Sequence, residues 1–253
     1  MTGVCFSGGG ARGIAHLGIS KALKELKLKP DIYAGTSAGA IVGAFLAAGN
    51  QEEEALEVIQ QTSLLSVFRP AFNWQGLLRM TTLESTLRKI LPARFEDLKY
   101  PIIIAATDIE AGRIKYFDSG DLCKAILASC CVPVLFSPIV IDNRKYVDGG
   151  LLNNLPAEAI RDKTELLVGV SCNPNSYKSD LNNVRTLMER SSLLAISGNT
   201  EVSKSICDII IEPQELSKFS GFDLSKASEI FEVGYRFTME NIDTFVPKQT
   251  KIK

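Results

Sequence analysis

Apolar and polar positions along the chain follow two alternating periods. Thr2 to Ser7 is an apolar run of strand length, and Ile14, Leu17, Ile19, Leu23 and Leu26 then recur at helical spacing to about Lys27. Pro30 ends that unit. Asp31 to Gly35 reads as a second strand, followed by a turn at Ser37 and a helix through Ala48 that stops at Gly49-Asn50. Residues 52–61 form an amphipathic helix, and a short helix comes next, from about Leu83 to Ile90. Ile102 to Ala106 predicts a buried strand, Arg113 to Phe117 one paired with it, and residues 121–129 a helix. Ile139-Val140-Ile141 and Lys145-Tyr146-Val147 flank Asp142-Asn143, a hairpin signal, and Asp148-Gly149-Gly150 closes it. Pro156 reads as the start of another helix. Leu166 to Ser171 is a strand, Leu181 to Ile196 a helix, Ile209 to Ile211 a strand and Ser225 to Ile242 a last helix. Strands alternating with helices predict an α/β fold of three layers, α/β/α, around a mainly parallel sheet. With no repeat, low-complexity tract or linker, residues 1–253 read as a single domain.

Two stretches break the pattern. From Ile32 to Gln51 there is no charge, which is long enough for a membrane span. Its Gly and Ala content, and the turn after Ile32-Tyr33, point instead to a strand, a turn and a helix buried in a soluble core. Residues 63–81 crowd Leu64, Leu65, Val67, Phe68, Phe72, Trp74, Leu77, Leu78 and Met80 into a segment with few charges. That segment either completes the core under a long loop or, with the helix after it, forms a cap-like insertion at about 63–91.

Composition narrows the function. The chain has 253 residues, 45% of them hydrophobic, so a core is assured and disorder is excluded. Lys plus Arg number 28 and Asp plus Glu 29, a net charge of −1 that argues against a nucleic-acid partner. Six cysteines stand without a C-x-x-C pair, beside a single histidine, so a Cys/His zinc site is not expected, and no cofactor is assigned. No leader precedes the first strand, so the expectation is a cytoplasmic protein with reduced thiols.

Three places can carry chemistry. Gly35-Thr36-Ser37-Ala38-Gly39 is a G-x-S-x-G pentapeptide between a strand and a helix, the context of a nucleophile elbow. The turn puts Ser37 at a helix N-terminus, where the Ala38 amide faces a developing oxyanion. The loop Gly8-Gly9-Gly10-Ala11-Arg12-Gly13 formally matches a dinucleotide fingerprint with Asp31 as the ribose acid. Asp31, however, sits at the start of its strand, the wrong edge of the sheet. The loop reads better as a nest of backbone N–H groups that adds oxyanion donors beside Ser37, with Arg12 ordering it or attracting an anionic head group. The third place is the base. His16, early in the first helix, suits a packed or capping role better than that of a base. Asp108, Asp118, Asp142 and Asp148 all lie near strand ends or turns, and Asp148 is the most constrained, beside Gly149-Gly150.

Taken in order, the glycine loop, the Ser37 pentapeptide and Asp148-Gly149-Gly150, with Pro133 and Pro138 shortly before the aspartate, resemble the patatin-like phospholipase family. The resemblance covers about residues 3–172, and Glu232-Val233-Gly234-Tyr235 fits it too. It implies a patatin-like fold and a Ser-Asp dyad hydrolase needing neither metal nor histidine base. Ser37 is then the nucleophile and Asp148 the general base. The amides of Gly8, Gly9, Gly10, Ala11, Arg12, Gly13 and Ala38 form the oxyanion hole, with Gly35, Gly39, Gly149 and Gly150 in support. The expected activity is a phospholipase A or lysophospholipase acting on lipid esters, with transient contact to a membrane surface. An esterase, thioesterase or acyltransferase uses the same machinery. Outside catalysis, the competing readings are a lipid-binding or a nucleotide-binding module.

Overall fold

The computed structural model describes residues 1–61, 69–73, 76–176, 181–182 and 184–241. Leu64, Leu65, Val67, Phe68 and Trp74 therefore lie outside the described residues. The predicted charge-free run resolves into strand and helix: β1 (Thr2–Phe6) leads through a 3-10 turn (Gly10–Ile14) into α1 (Ala15–Glu25), then β2 (Ile32–Thr36) and α2 (Ala38–Ala47). Next come α3 (Glu52–Gln61), the two-stranded pair β3 (Arg69–Asn73) and β4 (Gly76–Arg79), and α4 (Thr81–Ile90). The second half holds β5 (Ile102–Asp108), β6 (Arg113–Phe117), α5 (Leu122–Ser129), β7 (Ile139–Ile141), β8 (Arg144–Asp148), β9 (Leu166–Val170), α6 (Val184–Ser205), β10 (Ile209–Ile211) and α7 (Ala227–Glu240). No described helix is long and apolar enough to cross a membrane.

Among the described residues the main sheet has eight strands. β10, β9, β1, β2 and β5 run parallel in that order, while β6, β8 and β7 join antiparallel at the β5 side. The parallel strands are largely buried on both faces, and the period of two sorts their residues between them. Val4, Phe6, Tyr33, Ile102, Ile104, Val168 and Val170 point into the larger core, with apolar residues of α1, α2, α4, α5 and α7. Cys5, Ile32, Ala34, Ile103 and Leu167 point the other way, onto Leu155, Ala157 and Ile160. Met80, Leu87 and Leu91 belong to the larger core, so the helix after the apolar stretch is anchored there.

Two elements differ from the sequence reading. Pro156 opens short 3-10 turns at Ala157–Ala159 and Arg161–Lys163, with no α-helix. The Asn153 amide donates to Glu158, whose carboxylate also accepts from Ser203, so side-chain bonds fix this stretch in place of a helical ladder. The helix expected over 181–196 instead spans Val184–Ser205. The hairpin turn is as expected, with Asp142 and Asn143 both at positive φ (50° and 60°).

The register of β5 sets where the chemical groups can meet. Ile104 pairs with Gly35 on one side and Phe117 on the other, and Ala106 pairs with Lys115 and Asp148. β2 and β8 therefore share one edge of β5. β2 runs along it to Thr36 opposite Ala105, and β8 arrives from the opposite direction with Asp148 opposite Ala106. The residue after β2 and the last residue of β8 meet at that junction.

Candidate active site

Ser37 occupies the junction from the β2 side. Its backbone lies at φ 53°, ψ −121°, a conformation L-residues rarely adopt and one that surrounding structure must hold. Close packing supplies part of that hold: a Cβ on Gly35 would run into the Gly39 carbonyl, and one on Gly39 into the Phe6 carbonyl. The Ser37 N–H donates to Ser129 Oγ at 2.8 Å, and the Ser129 hydroxyl donates to the Ala105 carbonyl at 2.6 Å. The amides of Ala38 and Gly39 begin α2, where the first turn of a helix leaves its N–H groups unpaired.

Asp148 occupies the junction from the β8 side and is 8% exposed. Its Oδ1 accepts the Gly150 N–H at 2.7 Å, and the Ser37 side chain lies near enough to the same carboxyl to favour its charged form. Burial disfavours its charge and outweighs both influences, so the pKa is raised to about 6. The Cys130 thiol lies near both groups; burial first, then the Asp148 charge, pushes its pKa up and keeps it protonated. The other aspartates stand elsewhere. Asp108 accepts the Ala111 N–H at 2.9 Å and pairs with Arg144 at 3.0 Å, which hold its carboxyl below the usual range. Asp118 and Asp142 do not reach the junction, and neither is buried.

The glycine loop emerges beside Ser37, because β1 and β2 are parallel neighbours with Phe6 opposite Gly35. Gly8 lies against the Ser37 Cβ. Its N–H donates to the Asn154 carbonyl at 3.0 Å, and that of Ala11 to the Gly221 carbonyl at 2.8 Å. Arg12 and Gly13 lie in the 3-10 turn, whose i to i+3 bonds engage their amides. Among the described residues, the amides of Gly9 and Gly10 have no acceptor outside that turn. Gly10, at φ 59°, packs on Gly221, where any side chain would strike the carbonyl. The Arg12 guanidinium is buried 3.5 Å from Glu189, whose carboxylate also accepts from Ser220 and the Gly221 N–H. Arg12 thus braces the loop from behind.

Gly149 and Gly150 begin the 3-10 turn Gly149–Leu151 after Asp148, and beyond it stand two residues that sequence reasoning missed, Asn153 and Asn154. The Asn153 carbonyl accepts the Thr36 hydroxyl at 2.9 Å, one residue before Ser37. The Asn154 N–H donates to Asn199 Oδ1 at 3.0 Å, and Asn199 donates to the Gly150 carbonyl at 3.2 Å. Asn153-Asn154 therefore ties the elbow, the glycine loop and the aspartate turn together. Their place five and six residues after Asp148 is the only sign the sequence offers. His16 is fully buried, and its Nε2–H donates to the Ser7 carbonyl at 2.9 Å, which fixes the tautomer. Burial lowers its pKa to about 4, so it is a neutral packing residue. Asp31 accepts the Thr2 N–H at 2.7 Å at the opposite end of the sheet from the glycine loop.

A family model described as patatin-like phospholipase matches residues 4–161, a span that includes all three motifs. The chain belongs to that family. Among its patatin-like relatives, an uncharacterised NTE family protein of Mycobacterium tuberculosis is 37% identical over 169 residues, 65% of this chain and 47% of the relative. The human patatin-like phospholipase domain-containing protein 6 is 26% identical, covering 91% of this chain and 19% of that protein. Lysophospholipase NTE1 of Coccidioides immitis is 28% identical, covering 95% and 17%. The chain thus spans about half the length of the mycobacterial relative and about a fifth of the other two. The crystal structure of VipD from Legionella pneumophila shares the fold, with a TM-score of 0.54 at 16% identity, over 96% of this chain and 67% of VipD.

Proposed function

We propose that this patatin-like chain is a serine acyl hydrolase that cleaves carboxylic ester bonds of lipids, of phospholipase A or lysophospholipase type. The observation that carries the reading is that the strained elbow sets Ser37 at the end of β2 beside a buried Asp148 at the end of β8, whose pKa is raised to about 6. A carboxylate is ordinarily too weak a base for a serine hydroxyl. Desolvation lifts Asp148 toward the working range of a general base while leaving it ionised at neutral pH.

In the reaction, Asp148 takes the hydroxyl proton as Ser37 Oγ bonds to the ester carbonyl carbon. The tetrahedral oxyanion is held by the amides of Gly9, Gly10 and Ala38. The carbon–oxygen bond to the leaving alcohol breaks, and that alcohol leaves with the proton from Asp148. Water then attacks the acyl-enzyme with Asp148 again as base, which frees the fatty acid and restores Ser37. No step calls on a metal. The segment at about 63–91, part of which lies outside the described residues, is proposed as a cap, and the site is expected to meet its lipid at a membrane surface. The name lysophospholipase carried by the fungal relative supports the substrate class.

Labelling with a fluorophosphonate, read by intact mass, tests the reading. Wild type should take one adduct, Ser37→Ala none, and Asp148→Asn should react slower by about 10²-fold or more. Fatty acid release from lysophosphatidylcholine vesicles, lost in both variants, then identifies the substrate; transfer of the acyl group to an added alcohol in place of water would make the chain an acyltransferase. An adduct that persists in Ser37→Ala would overturn the assignment.

A further inference from the structure

The elbow leaves a gap in the sheet. The β2 ladder ends with Thr36 opposite Ala105, and the next residue, Ser37, turns out of the strand at φ 53°. Its N–H is then beyond reach of a strand partner. Ser129, fully buried at the last position of α5, fills the gap with a side chain. Its hydroxyl hydrogen is committed to the Ala105 carbonyl at 2.6 Å, so a lone pair is turned to the Ser37 N–H at 2.8 Å. The relay has one direction, and the burial of Ser129 leaves its hydroxyl no competing water. The next two residues reach the same junction. The Cys130 thiol lies near the Ser37 side chain, and the Cys131 carbonyl accepts the Asp148 N–H at 2.8 Å.

We propose that Ser129 is a positioning residue: its hydroxyl relay holds the Ser37 backbone in the strained elbow and so sets the direction of the Ser37 hydroxyl toward Asp148. The inference rests on Ser37 being the nucleophile. Ser129 touches neither substrate nor the reacting oxygen; it acts through the backbone of the nucleophile. Without it, a buried N–H and a buried carbonyl lose their partner together, and the elbow can relieve both by relaxing its φ. A nucleophile displaced by a fraction of an ångström loses rate with little loss of binding.

The test measures p-nitrophenyl butyrate hydrolysis and fluorophosphonate labelling in Ser129→Ala, Ser129→Thr and Ser129→Cys, with amide hydrogen exchange read at residue 37. Ser129→Ala should lower kcat and the labelling rate roughly 10- to 100-fold with KM nearly unchanged. The pH at half-maximal activity, set by Asp148, should stay where it is. Ser129→Thr, which keeps the hydroxyl, should recover most of the rate, and the Ser37 amide should exchange faster in Ser129→Ala alone. Should Ser129→Ala fail to fold, Ser129→Cys carries the same comparison, because a thiol fills the volume but bonds weakly. Equal rates for wild type and Ser129→Ala, or a rate loss that Ser129→Thr does not repair, would overturn the proposal. A wild type that neither labels nor hydrolyses sinks the hydrolase reading; exchange at residue 37 then still decides whether the relay holds the elbow.

Discussion

Asp148 and Asp108 end two neighbouring strands and titrate in opposite directions. Asp108 gains a backbone amide and a guanidinium, so its carboxyl is held low and stays charged. Among the described residues Asp148 gains an amide and a nearby serine side chain but no cation, and burial wins, raising it to about 6. A base must be deprotonated to act, so activity should rise with pH through about 6 and fall away below it. The measurement is kcat/KM for a soluble ester across pH 4.5 to 8.5. A profile flat through pH 6, or centred near the ordinary aspartate value of about 4, would remove Asp148 from the role of base.

At the scale of elements, α1 and α7 show what glycine does where no turn needs it. A Cβ on Gly18 would strike the Phe231 carbonyl, and one on Gly234 the Ala15 carbonyl, so the two helices cross backbone to backbone. Gly234→Ala should lower stability by about 1–3 kcal/mol, read as a shift of the urea midpoint at unchanged slope. Gly234 belongs to the Glu232-Val233-Gly234-Tyr235 stretch, which could be noticed in the sequence but not explained there. The strands were legible because their side chains alternate between two buried faces, and the elbow because strand, G-x-S-x-G and helix occur in order. The carboxyl half of α6 was not. Its inward face carries Asn199, Thr200 and Ser203, turned to Asn153 and Asn154, so no apolar period marks the helix. The engagement of the Gly8 and Ala11 amides was equally out of reach, since their acceptors are carbonyls far along the chain. Ser129 gave no signal either, as its partners are backbone groups that only the register of β5 brings together.

Across the whole molecule, two buried groups with opposite shifts shape the response to acid. His16 is lowered to about 4, so below its ordinary value the unfolded chain binds the proton that the folded one refuses, and stability falls as pH drops from about 6.5 to about 4. Asp148 is raised to about 6, so there the folded chain holds the extra proton, and stability grows as pH drops from about 6 to about 4. Each amounts to ~3 kcal/mol at full extent, and over the shared window they offset. Wild-type stability should therefore change little between pH 6 and 4.5 on their account. Asp148→Asn should be more stable than wild type near pH 7.5 and should lose that advantage steadily on acidification, leaving the His16 slope exposed. Urea denaturation of both proteins at several pH values checks this; parallel curves would contradict it. The shared edge of β5 has a consequence in time as well. A ribosome delivers the elbow early, long before it delivers the strand that ends in Asp148. β9, which flanks β1 beneath the glycine loop, comes later still. On the proposed reading, a nascent chain that has already made its serine holds no base beside it until the returning strand docks.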